Sequence, residues 1–168
     1  KPRSNMTVSV IIPTLNEESS IGELLRSLQS QTFQPSEILV VDGGSTDRTR
    51  QIVRSFPKVR WLTGNPPVGT QRNLGGQSAK SELLVFMDAD VYPSSDFIEK
   101  SVKERREKKI YIACPWTFPY RSTFFIQVIF GFFYLLFWII QWWLPSGCGM
   151  CFLIKNYVLK KTRGFRSD

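Results

Sequence analysis

Short, wholly apolar runs alternate along the chain with amphipathic stretches, and each kind predicts a different element. Thr7-Val8-Ser9-Val10-Ile11-Ile12 predicts a buried strand stopped by Pro13, whose ring removes a ladder donor. Beyond the polar stretch Thr14–Glu18, the apolar residues Ile21, Leu24, Leu25 and Leu28 recur at helical spacing, with Ser19 or Ser20 placed to cap. Glu37–Asp42 repeats the apolar strand and ends in aspartate; Gly43 and Gly44 permit a tight turn, and Ser45, Thr46 or Asp47 can cap a helix over Arg48–Phe56. Lys58–Leu62 reads as a short strand and Gly64–Gly69 as a loop, followed by a helix over Thr70–Ala79 with Arg72 and Asn73 near its start. Leu83–Met87 contains nothing polar and reads as a strand buried on both faces, ending at Asp88 and Asp90. A helix over Ser94–Lys108 closes in a charged run that reads as a solvated face, and Ile110–Cys114 as one more strand. This alternation predicts an α/β fold with a mostly parallel sheet flanked by helices. In such sheets ligands bind outside the carboxyl ends of the strands, the edge where Pro13, Asp42, Asp88 and Asp90 fall.

The pattern then changes. Phe124–Leu144 carries no charge, and at helical rise it extends about 30 Å, the thickness of a bilayer core. Its exceptions, Gln127, Gly131, Tyr134, Trp138 and Gln141, step along one helical face. A single crossing would separate Cys148–Asp168 from the sheet; if that tail belongs to the same domain, an in-plane, re-entrant or dimer-forming helix over residues 122–144 remains. Lys100–Lys109 and Arg121 precede this segment, and Lys155, Lys160, Lys161, Arg163 and Arg166 follow it, an arrangement suited to an anionic membrane interface.

Composition narrows the chemistry. The 168 residues form one domain's worth of chain, and 42% hydrophobic with 21% charged residues describes a folded protein. A net charge of +8 admits nucleic acid, anionic lipid or a phosphorylated substrate. Nucleic acid is disfavoured, because the aromatic residues form a hydrophobic block instead of interleaving with the basic ones. There is no histidine, which excludes Ser-His-Asp and Cys-His catalysis and His-containing zinc sites, and leaves acid–base work to carboxylates. Cys114, Cys148 and Cys151 are too few for a four-cysteine zinc site and read as buried thiols in a reducing, cytosolic setting. Polar Lys1–Thr7 lacks the pattern of a secretory leader. At the end of the Leu83–Met87 strand, alternation would point Asp88 and Asp90 the same way with small Ala89 between them. That geometry suits a hard divalent cation and the phosphates it carries, with a plain acidic turn as the alternative.

Four motifs in order carry a resemblance: Val8–Glu17, Val40-Val41-Asp42-Gly43-Gly44-Ser45-Thr46-Asp47, Arg72-Asn73 ahead of a helix, and Met87-Asp88-Ala89-Asp90. Together they resemble family 2 glycosyltransferases of the GT-A fold, strongly over residues 8–91 and more loosely from Pro145-Ser146-Gly147 to Arg163-Gly164-Phe165. The resemblance implies a single GT-A domain over residues 1–168, Rossmann-like, with the long apolar helix inserted. Its nucleotide-sugar-binding half would be residues 8–91 and its acceptor half residues 92–168. It implies a UDP- or GDP-sugar donor, with Pro13, Thr14 and Glu17 beside the nucleoside, Asp42 on the base and Arg72 near base or phosphate. Asp88 would bond the ribose, and Asp90, with Asp88 beside it, would hold Mg²⁺ or Mn²⁺ on the diphosphate. An inverting transfer also wants a general base, which the family supplies as an acidic pair after a Gly-Gly-Phe turn. Here Arg163 replaces the first glycine, and Asp168 is the nearest carboxylate. The expectation is therefore a truncated or short member, or an acceptor already ionised, as a lipid phosphate is. The setting would be the cytoplasmic face of a membrane, as a peripheral or monotopic protein, with a homodimer through the apolar helix as a further expectation. A GT-A-like domain that binds or scaffolds without turnover is the alternative from another class. Sugar nucleotidyltransferases share the sheet but want a Gly-rich loop where this chain has Pro13-Thr14-Leu15-Asn16.

Overall fold

The computed structural model describes residues 6–108, 111–115, 123–140, 150–162 and 164–166. Among the described residues six strands form one sheet: β1 (Val8–Thr14), β2 (Glu37–Asp42), β3 (Val59–Thr63), β4 (Leu83–Met87), β5 (Ile112–Ala113) and β6 (Cys151–Lys155), in the order β3-β2-β1-β4-β6-β5. The strands β1 to β4 run parallel, whereas β6 is antiparallel to both β4 and β5. The carboxyl ends of β1, β2, β3 and β4 therefore share one edge. β6 begins at that edge, Cys151 opposite Met87, and ends at the far one, Lys155 opposite Leu83.

Helices cover both faces, as a sheet apolar on both sides requires. On one face α1 (Ile21–Gln29), α2 (Thr49–Arg54) and α4 (Phe97–Lys108) contribute Ile21, Leu24, Leu25, Leu28, Val53, Ile98 and Val102 to a core with Val10, Ile12, Val40 and Val85. On the other face, Ile11, Leu39, Leu84 and Phe86 meet α3 (Val68–Ser78) and α6 (Asn156–Lys161) through Leu74 and Leu159. Helix α3 approaches the sheet closely because it presents glycines. A Cβ on Gly75 would strike Ile11 Cγ2, and one on Gly76 would meet Leu159 Cδ2 at 2.5 Å.

Several expected boundaries shift, each for a physical reason. Pro13 lies inside β1, opposite Val41, instead of ending it. The pairing of β1 with β4 stops at Ile11–Phe86, so Pro13 sits where β1 is paired on one side only and a missing N–H costs least. Neither Ser19 nor Ser20 caps α1; the Ser20 hydroxyl donates to the Glu17 carboxylate at 2.5 Å. The end of α4 is not wholly solvated: Arg105 is buried, donating to the carbonyls of Tyr111 at 2.9 Å and Leu153 at 2.6 Å and so closing the sheet's far edge. Cys151 is buried but Cys114 is exposed, and Cys148 lies outside the described residues.

The apolar segment forms helix α5 (Phe124–Ile140), within the expected 122–144; residues 116–122 and 141–149, Gln141 among them, lie outside the described residues. Among the described residues no helix is long and apolar enough to cross a membrane. Phe124, Phe125, Val128, Ile129, Phe132, Phe133 and Leu135 are all more than half exposed, and they point in several directions around the helix. Two of the basic residues that follow this segment in sequence stand over tyrosine rings elsewhere in the chain. Lys155 stands over the Tyr111 ring at 5.1 Å, at the far edge of the sheet, and Lys161 over Tyr157 at 5.8 Å.

Candidate active site

Two loops at the carboxyl edge are stitched together before any ligand arrives. After β1, Asn16 adopts φ 58° and accepts from the Thr46 N–H at 2.9 Å, while its own N–H donates to the Ser45 hydroxyl at 2.9 Å. The Glu17 N–H donates to Thr49 Oγ1 at 2.8 Å, and the Glu18 N–H to Asp47 at 3.0 Å. Asp47 also accepts from the Thr49 N–H at 2.9 Å, but the N-cap of α2 is Arg48, not Ser45, Thr46 or Asp47 as expected, and it makes no side-chain cap. Asp42 is turned into its own loop: it accepts from the N–H groups of Gly44 and Ser45, each at 3.0 Å, and from the Ser45 hydroxyl at 2.5 Å. At 5% exposure it anchors the loop after β2 and does not line the cleft described next.

That cleft, about 430 Å³, opens at the carboxyl edge between the loops after β1, β3 and β4. Its walls include Pro13, Thr14, Glu17, Arg72, Asp88 and Asp90, so six of the seven donor-site and metal-site residues expected from sequence converge on one cavity; Asp42, paired with Thr14 in the sheet, is not among them. Asp168 lies outside the described residues. The residues sequence reasoning passed over are Leu15, Pro66, Pro67, Val68 and Gln71. Their signal was available, since the Gly64–Gly69 stretch reads as a loop after a parallel strand and must open on the same edge.

Asp88 and Asp90 do not extend β4. The strand ends at Met87, the Asp88 N–H donates to the Met150 carbonyl at 2.9 Å, and the Val91 N–H returns to the Asp88 carbonyl at 3.2 Å, closing a turn. Alternation along a strand is thus not what gathers the two carboxylates. The turn sets them differently: Ala89 is buried, Asp88 is partly buried and Asp90 is exposed. Arg72 donates to Asp88 at 2.8 Å, and its guanidinium lies 5.6 Å from the centre of the Phe152 ring. Burial holds the Asp88 carboxyl above the ordinary carboxylate range; the hydrogen bond and charge of Arg72 pull it back, and the charge of Asp90 adds to the rise.

Asp88 and Asp90 offer hard oxygen donors, and among the described residues no group of three His, Cys, Asp or Glu could hold a metal ion. Such a pair fits Mg²⁺ or Mn²⁺ carried on phosphates, where substrate oxygens and water complete the shell, and does not fit an all-protein cage. With Asp88 occupied by Arg72, Asp90 is the more available ligand.

A mostly parallel sheet flanked by helices, with an acidic turn and a basic side chain at its carboxyl edge, is a GT-A-like fold, and comparison with known proteins agrees on the fold. The family model described as glycosyl transferase family 2 matches residues 9–163, and the chain belongs to that family. It is 37% identical over 103 residues to glycosyltransferase AglE of Haloferax volcanii, covering 56% of this chain and 34% of that protein. It is 39% identical over 102 residues to the poly(ribitol-phosphate) beta-N-acetylglucosaminyltransferase TarS of Staphylococcus aureus, covering 56% of this chain and 18% of TarS. The chain thus spans about a third or less of these two relatives. Among solved structures, a mannosyltransferase of Pyrobaculum calidifontis superposes with a TM-score of 0.76 at 24% identity, over 100% of this chain and 50% of that one. TarS residues 1–349 superpose with a TM-score of 0.68 at 25% identity, over 92% of this chain and 48% of that one.

Proposed function

We propose that the chain is the donor-binding part of a metal-dependent, inverting glycosyltransferase that moves a sugar from a UDP- or GDP-sugar to a lipid-linked acceptor at a membrane surface. The observation that carries the donor half is the convergence of Arg72, Asp88 and Asp90 on one cleft at the carboxyl edge of the sheet. A sugar leaves with a nucleoside diphosphate, so the site must meet negative charge growing on that leaving group. Arg72 sits on the cleft wall, held between Asp88 and the Phe152 ring, and can face the diphosphate without reorganising. Asp90, with Asp88 behind it, would hold Mg²⁺ or Mn²⁺, which when bound neutralises diphosphate charge. Pro13, Thr14 and Glu17 form the opposite wall, where a nucleoside would lie, and Asp42 keeps the loop beside them in shape. Structural neighbours support this reading: TarS has been solved with UDP and with UDP-GlcNAc, and the Pyrobaculum enzyme with GDP-Man and Mn²⁺.

The acceptor half rests on topology. β5 runs toward the site edge, and β6 starts from it with Met150 bonded to Asp88, so the excursion containing α5 leaves and rejoins the sheet on the active-site side. A helix exposing phenylalanines around its girth, on an excursion that leaves and rejoins the sheet at that edge, suits the interfacial layer of a bilayer, and the anionic cytoplasmic leaflet suits a chain of net charge +8. An acceptor hydroxyl or phosphate at headgroup level would then stand beside the donor cleft. Incubation with radiolabelled UDP- and GDP-sugars, Mn²⁺ and a lipid extract tests the proposal. Label passing into lipid from one donor, and not with Asp90→Ala, supports it. Donor binding without transfer or hydrolysis would favour a binding module that lacks its base.

A further inference from the structure

Arg72 is held by a part of the chain that never reaches the cleft. Its neighbour Asn73, about 100° further around α3, grips the segment after α6. The Asn73 amide donates to the Phe165 carbonyl at 2.9 Å and accepts from the Phe165 N–H at 2.8 Å, a two-way bridge of the kind a strand partner would make. At Gly164, φ 76° leaves no room for a side chain, since a Cβ would strike Asn73 Oδ1; at Gly69, in the first turn of α3, a Cβ would strike the Arg166 carbonyl. The segment 164–166 is therefore moulded to α3 by backbone contact.

What the bridge fixes is a ring. Phe165 packs edge-on to Phe86 at 5.2 Å and tilted against Phe152 at 5.3 Å, while Phe152 stacks on Phe86 at 4.7 Å and 10°. Phe86 is fully buried in β4 and cannot shift. Phe152, partly buried, is pinned between Phe86 and Phe165, and the Arg72 guanidinium lies against it at 5.6 Å while bonding Asp88. We propose that Asn73 is a positioning residue for Arg72, acting through Phe165 and the ring of Phe152. A guanidinium on a long flexible stem gains a fixed place from such a ring and a carboxylate together. The Asn73 bridge keeps the ring in place from the adjoining position on the same helix. The consequence for donor binding rests on the reading of the cleft as a nucleotide-sugar site; the consequence for Arg72 does not.

The two are separable by experiment. In the intact chain, the Arg72 Nε–H order parameter measured by NMR is expected in the rigid range, about 0.85, and to fall below about 0.6 in Asn73→Asp, in Phe165→Leu and in Phe152→Leu. Phe152→Tyr, which keeps the ring, restores rigidity. In the same variants the dissociation constant for UDP or GDP with Mn²⁺ rises about tenfold. Should Asn73→Asp fail to fold, Phe165→Leu carries the test, because it leaves the backbone bridge intact. Arg72 remaining rigid in folded Asn73→Asp, or in folded Phe165→Leu, overturns the proposal. A parent chain that binds no nucleotide while its Arg72 is rigid and loosens in the variants contradicts the donor reading alone.

Discussion

Arg72 and Asp88 form an ion pair at 2.8 Å in which the carboxylate is more protonatable than an ordinary aspartate even though a guanidinium touches it. Burial outweighs the partner, and the adjacent charge of Asp90 adds to it. The folded-state pKa of Asp88 thus lies above its unfolded value, so between those two values the folded chain holds more protons and stability falls as pH rises. Compared with Asp88→Asn, the native chain should lose relative stability as pH climbs from the ordinary aspartate range toward neutrality, as measured by urea unfolding at a series of pH values. A constant difference across that window would contradict the assignment.

Glu37 should show the opposite slope. Burial works against its charge, but the Lys80 N–H at 2.6 Å, the Ser9 hydroxyl at 2.7 Å and Arg60 at 2.9 Å bring it below the ordinary glutamate range. Its contribution is present above the unfolded pKa and lost as pH falls through the folded one. Glu37→Gln should cost about 1 kcal/mol near neutral pH and progressively less in acid, because these bonds join β1, β2, β3 and the approach to β4.

Packing of α3 on the sheet sets a third expectation. Gly75→Ala would drive a methyl into Ile11 Cγ2 and to 3.1 Å from Val41 Cγ2, and should destabilise by about 1–3 kcal/mol, read as a lowered Tm. It should also weaken nucleotide binding, since the same helix carries Gln71 and Arg72. Gly131→Ala in α5 is the control: nothing lies within 4 Å of the added carbon, and the exchange should be neutral or stabilising.

Membrane contact by α5 is tested by flotation with anionic phosphatidylserine-containing vesicles. The chain should float, and Phe125→Glu with Phe133→Glu should not, because each places a charge where an exposed phenylalanine now stands. Equal flotation of both, or a dimer in solution abolished by the same substitutions, would contradict interfacial binding.

Much of this architecture was legible in the chain because parallel strands buried on both faces read as unbroken apolar runs. Val10–Ile12, Leu39–Val41 and Leu83–Met87 all fall in strands. A strand end also marked the site, since charge first appears where full burial stops, as at Asp88 after Met87. Side-chain direction was not legible. Whether Asp42 faces a ligand or its own loop depends on the Gly44 and Ser45 N–H groups, and the turn at Asp88–Asp90 depends on Met150, which is distant in sequence. Arg105 was misread for the same reason: its partners, the Tyr111 and Leu153 carbonyls, come together only when β5 and β6 pair. Nor was the placement of Lys155 legible, since β6 carries it to the far edge of the sheet whatever its sequence distance from α5.

Calorimetric titration of UDP and GDP into the chain, with and without Mn²⁺, tests the central claim most directly. The donor-cleft account predicts saturable binding of one nucleotide that strengthens with Mn²⁺ and weakens at least tenfold in Asp90→Ala, about 1.4 kcal/mol or more. Binding that ignores both the metal and Asp90, or no binding of either nucleotide to the folded chain, would contradict it.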